Sequence, residues 1–332
     1  MNTTARISQS SSGKRITALF DRLWQGSPPL TLVGVLMIGA AAAAVVGMLV
    51  DPRIITGAPA WLKPFKFGAS TAIYSLTLAW IFGYLAIWPR VRRIVGWTTA
   101  VVFVLEVALI DAQAWRGTTS HFNVSTPLNA TLFLVMGLAI LVQTLVSIAV
   151  AVALWRQPFA DRALGWALRF GMVLTIVGAM TGPLMTRPTA AQLAAARAGE
   201  QMTVAGAHSV GGVDGGPGLP ITGWSREHGD VRVPHFIGLH AIQALAIIAM
   251  GLRRWRLPDA IRIRAIMAIA ASYAALFLLL LTQALRGQSI VAPDMTSVAV
   301  LVSWGLVTLL VIGWVVLGAR RDSRDKLNWM AV

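Results

Sequence analysis

The chain has 332 residues, of which 56% are hydrophobic and 12% are charged, and its formal net charge is +15. A soluble core of this size cannot bury so much apolar surface, so the composition excludes an ordinary soluble protein and indicates an integral membrane protein. The sequence contains no cysteine, which excludes disulfides, thiolate metal sites and c-type haem. Because the basic residues group in short loops without an aromatic platform, we expect the lipid bilayer as a partner and no nucleic acid.

Eight apolar stretches are long enough to cross the membrane as helices, which takes about 20 residues each. We therefore predict an all-α fold with eight transmembrane helices. The predicted spans are Leu30–Val50, Phe67–Trp88, Ile94–Trp115, Leu128–Trp155, Ala163–Met185, His235–Leu252, Ala265–Leu285 and Met295–Leu317.

The basic residues also predict the orientation of these spans. With a cytoplasmic N-terminus, most of the 28 basic residues fall in inner segments, and the positive-inside rule then places both termini in the cytoplasm. Residues 1–27 are rich in serine and threonine and are predicted to form a flexible cytoplasmic arm, with residues 320–332 as a cytoplasmic tail. Residues 186–233 form the one long extracytoplasmic loop, which is either a folded lid or a flexible linker.

A five-residue motif occurs twice, as Gln-Ala-Trp-Arg-Gly at 113–117 and as Gln-Ala-Leu-Arg-Gly at 283–287. Each copy ends an apolar run and opens a polar loop. This recurrence predicts a 4+4 tandem repeat whose parallel halves are residues 28–158 and 159–319. We expect the polar side chains of the two copies to meet at one membrane surface and to bind a ligand together with Lys66. These side chains are Gln113, Arg116, Gln283 and Arg286.

The third predicted span carries two acids, Glu106 and Asp111. Ten residues of helix place Glu106 about 15 Å below Arg116, near the middle of the membrane. An ionisable group at that depth is costly and is a functional candidate by default, so we predict a counter-charge or proton-coupling role for both acids. The alternative is a protonated or paired structural acid between helices.

Three histidines and one glutamine complete the predicted ligand-binding set. His121 lies in the polar loop just after Arg116, and the sixth span begins with His235, His240 and Gln243. His240 and Gln243 share one helix face, whereas His235 lies about 140° away on a straight helix, so one metal ion could not easily take both histidines. Each histidine would then need a partner from another helix or loop.

A block of residues before and within the sixth span resembles a pattern found in an uncharacterised family of bacterial multi-pass membrane proteins. The block comprises Trp224-Ser225, Gly229-Asp230, Arg232, His235-Phe236, residues 238–241 and Gln243. The resemblance implies a bacterial cytoplasmic membrane. It implies no activity and no role for any residue.

Our main functional hypothesis is a polar cavity on the extracytoplasmic side that binds or transports an anionic, amphiphilic ligand, such as an anionic lipid or a small anion. One alternative is a redox protein that binds b-type haem through His240, or a quinone. Another is a metal-dependent lipid hydrolase or transferase, although no metal-ligand motif is present. A role as an accessory subunit or homo-oligomer also stays open, and the sequence identifies no catalytic residue.

Overall fold

The computed structural model describes residues 11–255 and 257–329, with the side chains of residues 11, 12, 14 and 316–329 left out. Helices dominate it. The helices are α1 Ser11–Gly26, α2 Pro28–Val50, α3 Leu62–Phe82, α4 Pro89–Trp115, α5 Pro127–Arg156, α6 Arg162–Ala179, α7 Gly182–Met185, α8 Ala190–Arg197, α9 Arg232–Leu239, α10 Ala241–Arg253, α11 Asp259–Leu285 and α12 Met295–Trp329. Two short antiparallel pairs accompany them, β1 Ile54–Ile55 with β2 Ala58–Pro59, and β3 Ser209–Val210 with β4 Gly229–Asp230.

Several helices are long and apolar enough to cross a membrane, which confirms the multi-pass helical class. Among the described residues there are six such segments, or seven if the bent pair α9 and α10 counts as one span. Helix α3, predicted as the second span, is not in this set, because its two lysines and its hydroxyl side chains make it less apolar. The eight spans, the tandem repeat and the cytoplasmic termini therefore stay predictions.

The sixth predicted span is not one straight helix. It breaks at His240, and α9 and α10 meet there at a bend of 46°. Side chains from neighbouring helices satisfy the backbone carbonyls that the break releases: the Tyr273 hydroxyl donates to Ile237 O at 2.6 Å and the Thr175 hydroxyl donates to Leu239 O at 3.3 Å. Such compensation is what permits a broken helix inside a membrane protein. The straight-helix angle that we assumed between His235 and His240 is therefore wrong.

Two glycines bring α9 into close contact with α6 next to this break. Gly238 of α9 packs directly on Gly178 of α6, and neither position leaves room for a Cβ atom. Close backbone contact of this kind is common where membrane helices cross.

Helix α1 occupies part of the segment predicted as a flexible arm. Its Leu23 packs against the main core, and the Arg92 guanidinium donates to the carbonyls of Gln25 and Gly26 at its C-terminal end. Residues 1–10 lie outside the described residues. The predicted tail continues as α12 as far as Trp329.

The main core lies between α2, α3, α5, α6, α10 and α11. Its fully buried large side chains include Leu30, Phe82, Leu154, Met172 and Leu245. We call the end of the bundle that carries the loops 116–126, 180–231 and 286–294 the loop face. The opposite end, where α1 lies, is the terminal face.

The long loop at residues 180–231 folds onto the loop face. It contains α7, α8 and the β3–β4 pair, and it bonds the loop after α4 through Val124 N and Thr203 O at 2.9 Å. Strand β4 lies so close to the end of α11 that a Cβ at Gly229 would collide with the carbonyl of Ala284. Of the two interpretations left open by the sequence, the fold matches an ordered cover over the bundle.

Candidate ligand-binding site

The recurring motif forms the same helix end in both places. The glycine adopts a positive φ, 72° at Gly117 and 76° at Gly287. The N–H of the next residue donates to the carbonyl of the motif's glutamine, at 3.0 Å in the first copy and 3.2 Å in the second. This backbone pattern ends many helices, and glycine is preferred because other residues are strained at positive φ. The motif is thus a helix-capping device in both halves.

The glutamine side chains extend the cap. Gln113 is fully buried, and its amide donates to Thr119 O at 3.3 Å and to Asn129 Oδ1 at 3.1 Å. Gln283 is also buried, and its amide donates to Ser289 O at 3.0 Å. Each glutamine therefore holds its own loop against its own helix end.

The two arginines each bond locally. Arg116 donates to the side chains of Gln113 and Asn129, whereas Arg286 donates to Asp294 Oδ2 at 2.7 Å. In the part of the chain that the structure describes, the two guanidinium groups share no partner. Their predicted convergence on one ligand stays a prediction, and the contacts give it no support.

Glu106 is an acid buried inside α4. Its side chain is 1% exposed, and neither carboxyl oxygen accepts a hydrogen bond from any described residue. The His121 Nε2 atom lies 3.4 Å from Glu106 Oε1. Buried polar groups are nearly always hydrogen-bonded, because leaving one unpaired costs about 1–3 kcal/mol. An acid kept under these conditions is a strong functional candidate.

The His121 imidazole is held in place and uncharged. Its Nδ1 lies 3.1 Å from the Ser120 hydroxyl, and its ring centroid lies 5.6 Å from that of Phe67. Burial lowers the pKa of His121 well below its ordinary value, and the nearby positive charge of Lys63 lowers it further. The Glu106–His121 contact is consequently no ion pair at neutral pH. It places a neutral base beside a buried acid, an arrangement that can hold or transfer a proton.

Two lysines from the first turns of α3 belong to the site, and one of them, Lys63, lies near this pair. The Lys63 ammonium lies 5.8 Å from the Phe67 ring centroid and within electrostatic range of Glu106. Among the described residues it makes no hydrogen bond. The Lys66 ammonium donates to the carbonyl of Thr222 in the long loop at 3.0 Å. One lysine is thus free for a ligand, and the other is bound only to a neutral oxygen.

The long loop adds a hydrogen-bonded histidine and aspartate to the site. The His208 ring packs on Phe122 with 4.8 Å between centroids, and its Nδ1 lies 2.7 Å from Asp214 Oδ2. Burial lowers the pKa of His208, although its hydrogen bond to Asp214 opposes this. Burial alone would raise the pKa of Asp214, but the hydrogen bonds from His208 and Ser209 lower it below its ordinary value. Asp214 is therefore a carboxylate, and it acts electrostatically on Lys63.

Arg232, the first residue of α9, lies close to both lysines. Its guanidinium pairs with the buried carboxylate of Asp230 and donates to Gly223 O at 2.6 Å. The charge of Arg232 acts on both lysine ammonium groups. We call this assembly the polar cluster. It consists of Lys63, Lys66, Glu106, His121, His208, Asp214, Asp230 and Arg232.

The remaining predicted site residues lie in the helices. His235 Nδ1 lies 2.9 Å from both Gly178 O and the Thr181 hydroxyl, so this imidazole joins α9 to the end of α6. The His240 ring packs on Phe236 at the break, and Gln243 follows it one turn later without a hydrogen bond to the described residues. Asp111 has one buried oxygen without a described partner. Ligand roles for these residues stay predictions.

Five members of the polar cluster were absent from the predicted ligand-binding set, namely Lys63, His208, Asp214, Asp230 and Arg232. Lys63 stands three residues before Lys66, and this spacing places both on one face of a helix. The sequence therefore contained the information needed to add Lys63 to the set. The other four belong to or border the long loop, and only its folding brings them to α3 and α4.

The composition of the polar cluster suits an anion better than a metal ion. It combines three cationic side chains with acids that are already paired or buried, whereas a metal site needs several converging donor atoms. Within the described ranges, no group of three or more histidine, aspartate or glutamate side chains is able to hold a metal ion.

Comparison with known protein families, with curated proteins and with solved structures found no match for this chain.

Proposed function

We propose that this multi-pass membrane protein binds an anionic ligand in the polar cluster, and that a proton binds to Glu106 and His121 together with the ligand. The observation that carries the proposal is the buried Glu106 carboxyl, which has no described donor and faces a neutral imidazole within range of an unpaired lysine. Movement of the ligand across the membrane is the activity that such proton linkage serves.

The charges of the polar cluster explain why anion binding and protonation of Glu106 favour each other. With both lysines protonated, three cationic side chains face two carboxylates, those of Asp214 and Asp230. Burial lowers the pKa of Lys63 to about 7 and that of Lys66 to about 8, so this charge state is reached on the acidic side of neutral pH. A proton on Glu106 leaves the cluster with one excess positive charge, whereas an ionised Glu106 cancels that excess. An anion is therefore bound more tightly when Glu106 is protonated, and by reciprocity the anion makes Glu106 easier to protonate.

The anion has two direct partners in this scheme. Lys63 has no hydrogen-bond acceptor among the described residues, and Lys66 can exchange the Thr222 carbonyl for a charged oxygen. Arg232 is already held by Asp230 and Gly223, so it contributes its charge more than its donors. The aromatic ring of Phe67 beside Lys63 and His121 supplies an apolar wall, which suits an amphiphilic anion.

The test is a thermal-shift screen of the detergent-solubilised protein with inorganic phosphate, succinate and a lysophospholipid, at about pH 5.5 and about pH 7.5. We expect at least one of these anions to raise the melting temperature, and to raise it more at the lower pH. Glu106→Gln, which mimics the protonated acid, should keep the stabilisation and make its pH dependence shallower, because the part that remains comes from Lys63, whose pKa burial lowers to about 7. Lys63→Gln and Lys66→Gln should each weaken binding about tenfold or more, the loss expected for one charge-assisted hydrogen bond.

Arg116→Gln is the matched control, because it removes a cation of the loop face that is outside the polar cluster. It should leave anion binding and its pH dependence unchanged. The proposal fails if none of the three anions stabilises the protein, if Glu106→Gln keeps the full pH dependence, or if Arg116→Gln weakens binding as much as Lys63→Gln does.

A further inference from the structure

A second site lies at the terminal face, between α10, α11 and α12. It is a cavity of about 420 Å³, a volume within the usual range for ligand pockets. Its walls are almost wholly apolar and include Ile248, Leu252, Ile261, Ile269 and Ile312. It contributes no residue to the polar cluster, which is on the loop face.

The cavity is elongated along the helices. Ile261 and Ile269 both line it and are eight residues apart on α11, which corresponds to about 12 Å of helix. Helix α12 forms one wall and otherwise presents mostly exposed apolar side chains, such as Leu306, Leu309 and Leu310. A long apolar cavity bounded by such a helix is matched to a hydrocarbon chain.

The end of the cavity nearest the terminal face carries a cation and an aromatic ring. Arg254 and Trp255, which follow α10, both line it. The Arg254 guanidinium makes no hydrogen bond or ion pair with the described residues. Tryptophan and arginine together are typical of the level at which lipid headgroups meet water.

We propose that this cavity binds one acyl chain of a bilayer phospholipid, and that the lipid's anionic headgroup pairs with Arg254. The apolar walls match the chain, and the free guanidinium matches the phosphate. Lipid is the occupant because the cavity lies among predicted membrane spans, with its charged end at the level of the basic loop between α10 and α11.

Gly251 provides a direct way to fill the cavity. It lines the wall, and a Cβ added there would meet no atom within 4 Å. Gly251→Leu therefore places a side chain into the cavity without a backbone collision. Gly305→Leu is the matched control, because Gly305 lies within α12, is equally free of neighbours within 4 Å and does not line the cavity.

Native mass spectrometry of the full chain in mild detergent, with added phosphatidylglycerol or phosphatidylcholine, tests the proposal. We expect the wild-type protein to retain one phosphatidylglycerol, Gly251→Leu to lower its retention about tenfold, and Gly305→Leu to behave as wild type. Arg254→Gln should retain both lipids equally, because it removes the preference for the anionic headgroup. Melting temperatures verify that each variant is folded.

Three results would overturn this site. One is equal retention of phosphatidylglycerol by the Gly251→Leu and Gly305→Leu variants. Another is an unchanged headgroup preference in Arg254→Gln. The third is a wild-type dimer that Gly251→Leu converts to monomer, since a second copy of the chain would then occupy the cavity.

Discussion

The ends of α4 and α11 have the same backbone cap but different surroundings. At the end of α4 the arginine turns back onto buried amide side chains, whereas at the end of α11 Arg286 pairs with Asp294 on the surface. One turn to three turns below the cap, α4 carries Glu106 and Asp111, and α11 carries Leu276 and Leu281 at the same offsets. A shared motif therefore shows how a helix ends, and the polar chemistry depends on what surrounds it.

The largest expected difference concerns two ion pairs of the loop face. Asp230→Ala removes a buried carboxylate and leaves Arg232 without its partner, which should cost about 3–5 kcal/mol of unfolding free energy. Asp294→Ala removes an exposed partner of Arg286 and an acceptor of the Ser297 N–H at the start of α12, and it should cost clearly less than Asp230→Ala. Denaturant titration in detergent micelles measures both. Equal costs would show that the buried Asp230–Arg232 pair contributes no more to stability than the exposed Asp294–Arg286 pair.

The two glutamines of the motif should also differ. Gln113→Leu breaks two donated hydrogen bonds and removes the acceptor of Arg116, so we expect a loss of about 2–3 kcal/mol. Gln283→Leu breaks one hydrogen bond to a loop carbonyl and should cost about 1 kcal/mol. The same titration compares them, and a larger cost at Gln283 would contradict the network described around α4.

Two buried histidines of the polar cluster, His121 and His208, predict how stability varies with pH. Burial lowers the pKa values of His121 and His208, so the unfolded chain takes up protons on acidification before the folded protein does. Unfolding free energy should therefore fall as the pH decreases from neutral through the ordinary histidine range. His121→Gln should make this dependence shallower. An unchanged slope in the His121→Gln, His208→Gln double variant would mean that other groups govern the acid sensitivity.

The smallest effect should be the same in both halves. Gly117→Ala and Gly287→Ala each place a Cβ at a positive φ, which should cost about 1 kcal/mol. Thermal melts of the two variants measure this, with Gly137→Ala inside α5 as a control at normal helical geometry that should be neutral or stabilising. Clearly unequal losses would show that the two caps are not equivalent.

The helical membrane class and most helix positions follow from composition and apolar length, because membrane spans depend mainly on those properties. The break at His240 was not predictable in this way. It depends on Gly178, Thr175 and Tyr273, which come from other helices and satisfy the broken backbone.

The candidate site likewise contains residues that the sequence could predict and residues that it could not. Glu106 stood out because an acid inside an apolar span is costly wherever it lies, and Lys66 and His121 belonged to the predicted ligand-binding set. His208, Asp214 and Arg232 reach the site through the folded loop, and the sequence carries no periodic signal for that folding. Conversely, the recurring motif led us to predict that Arg116 and Arg286 bind one ligand together. In the structure each arginine bonds residues near its own helix end.

The bend at His240 places the two proposed sites on the two arms of one element. Arg232 begins the first arm, α9, and Gly251 lies near the end of the second arm, α10. Because Gly238 packs directly on Gly178, the backbone of α9 is held against α6 next to the bend. The angle of the bend therefore sets the position of Arg232 relative to the apolar cavity that α10 lines.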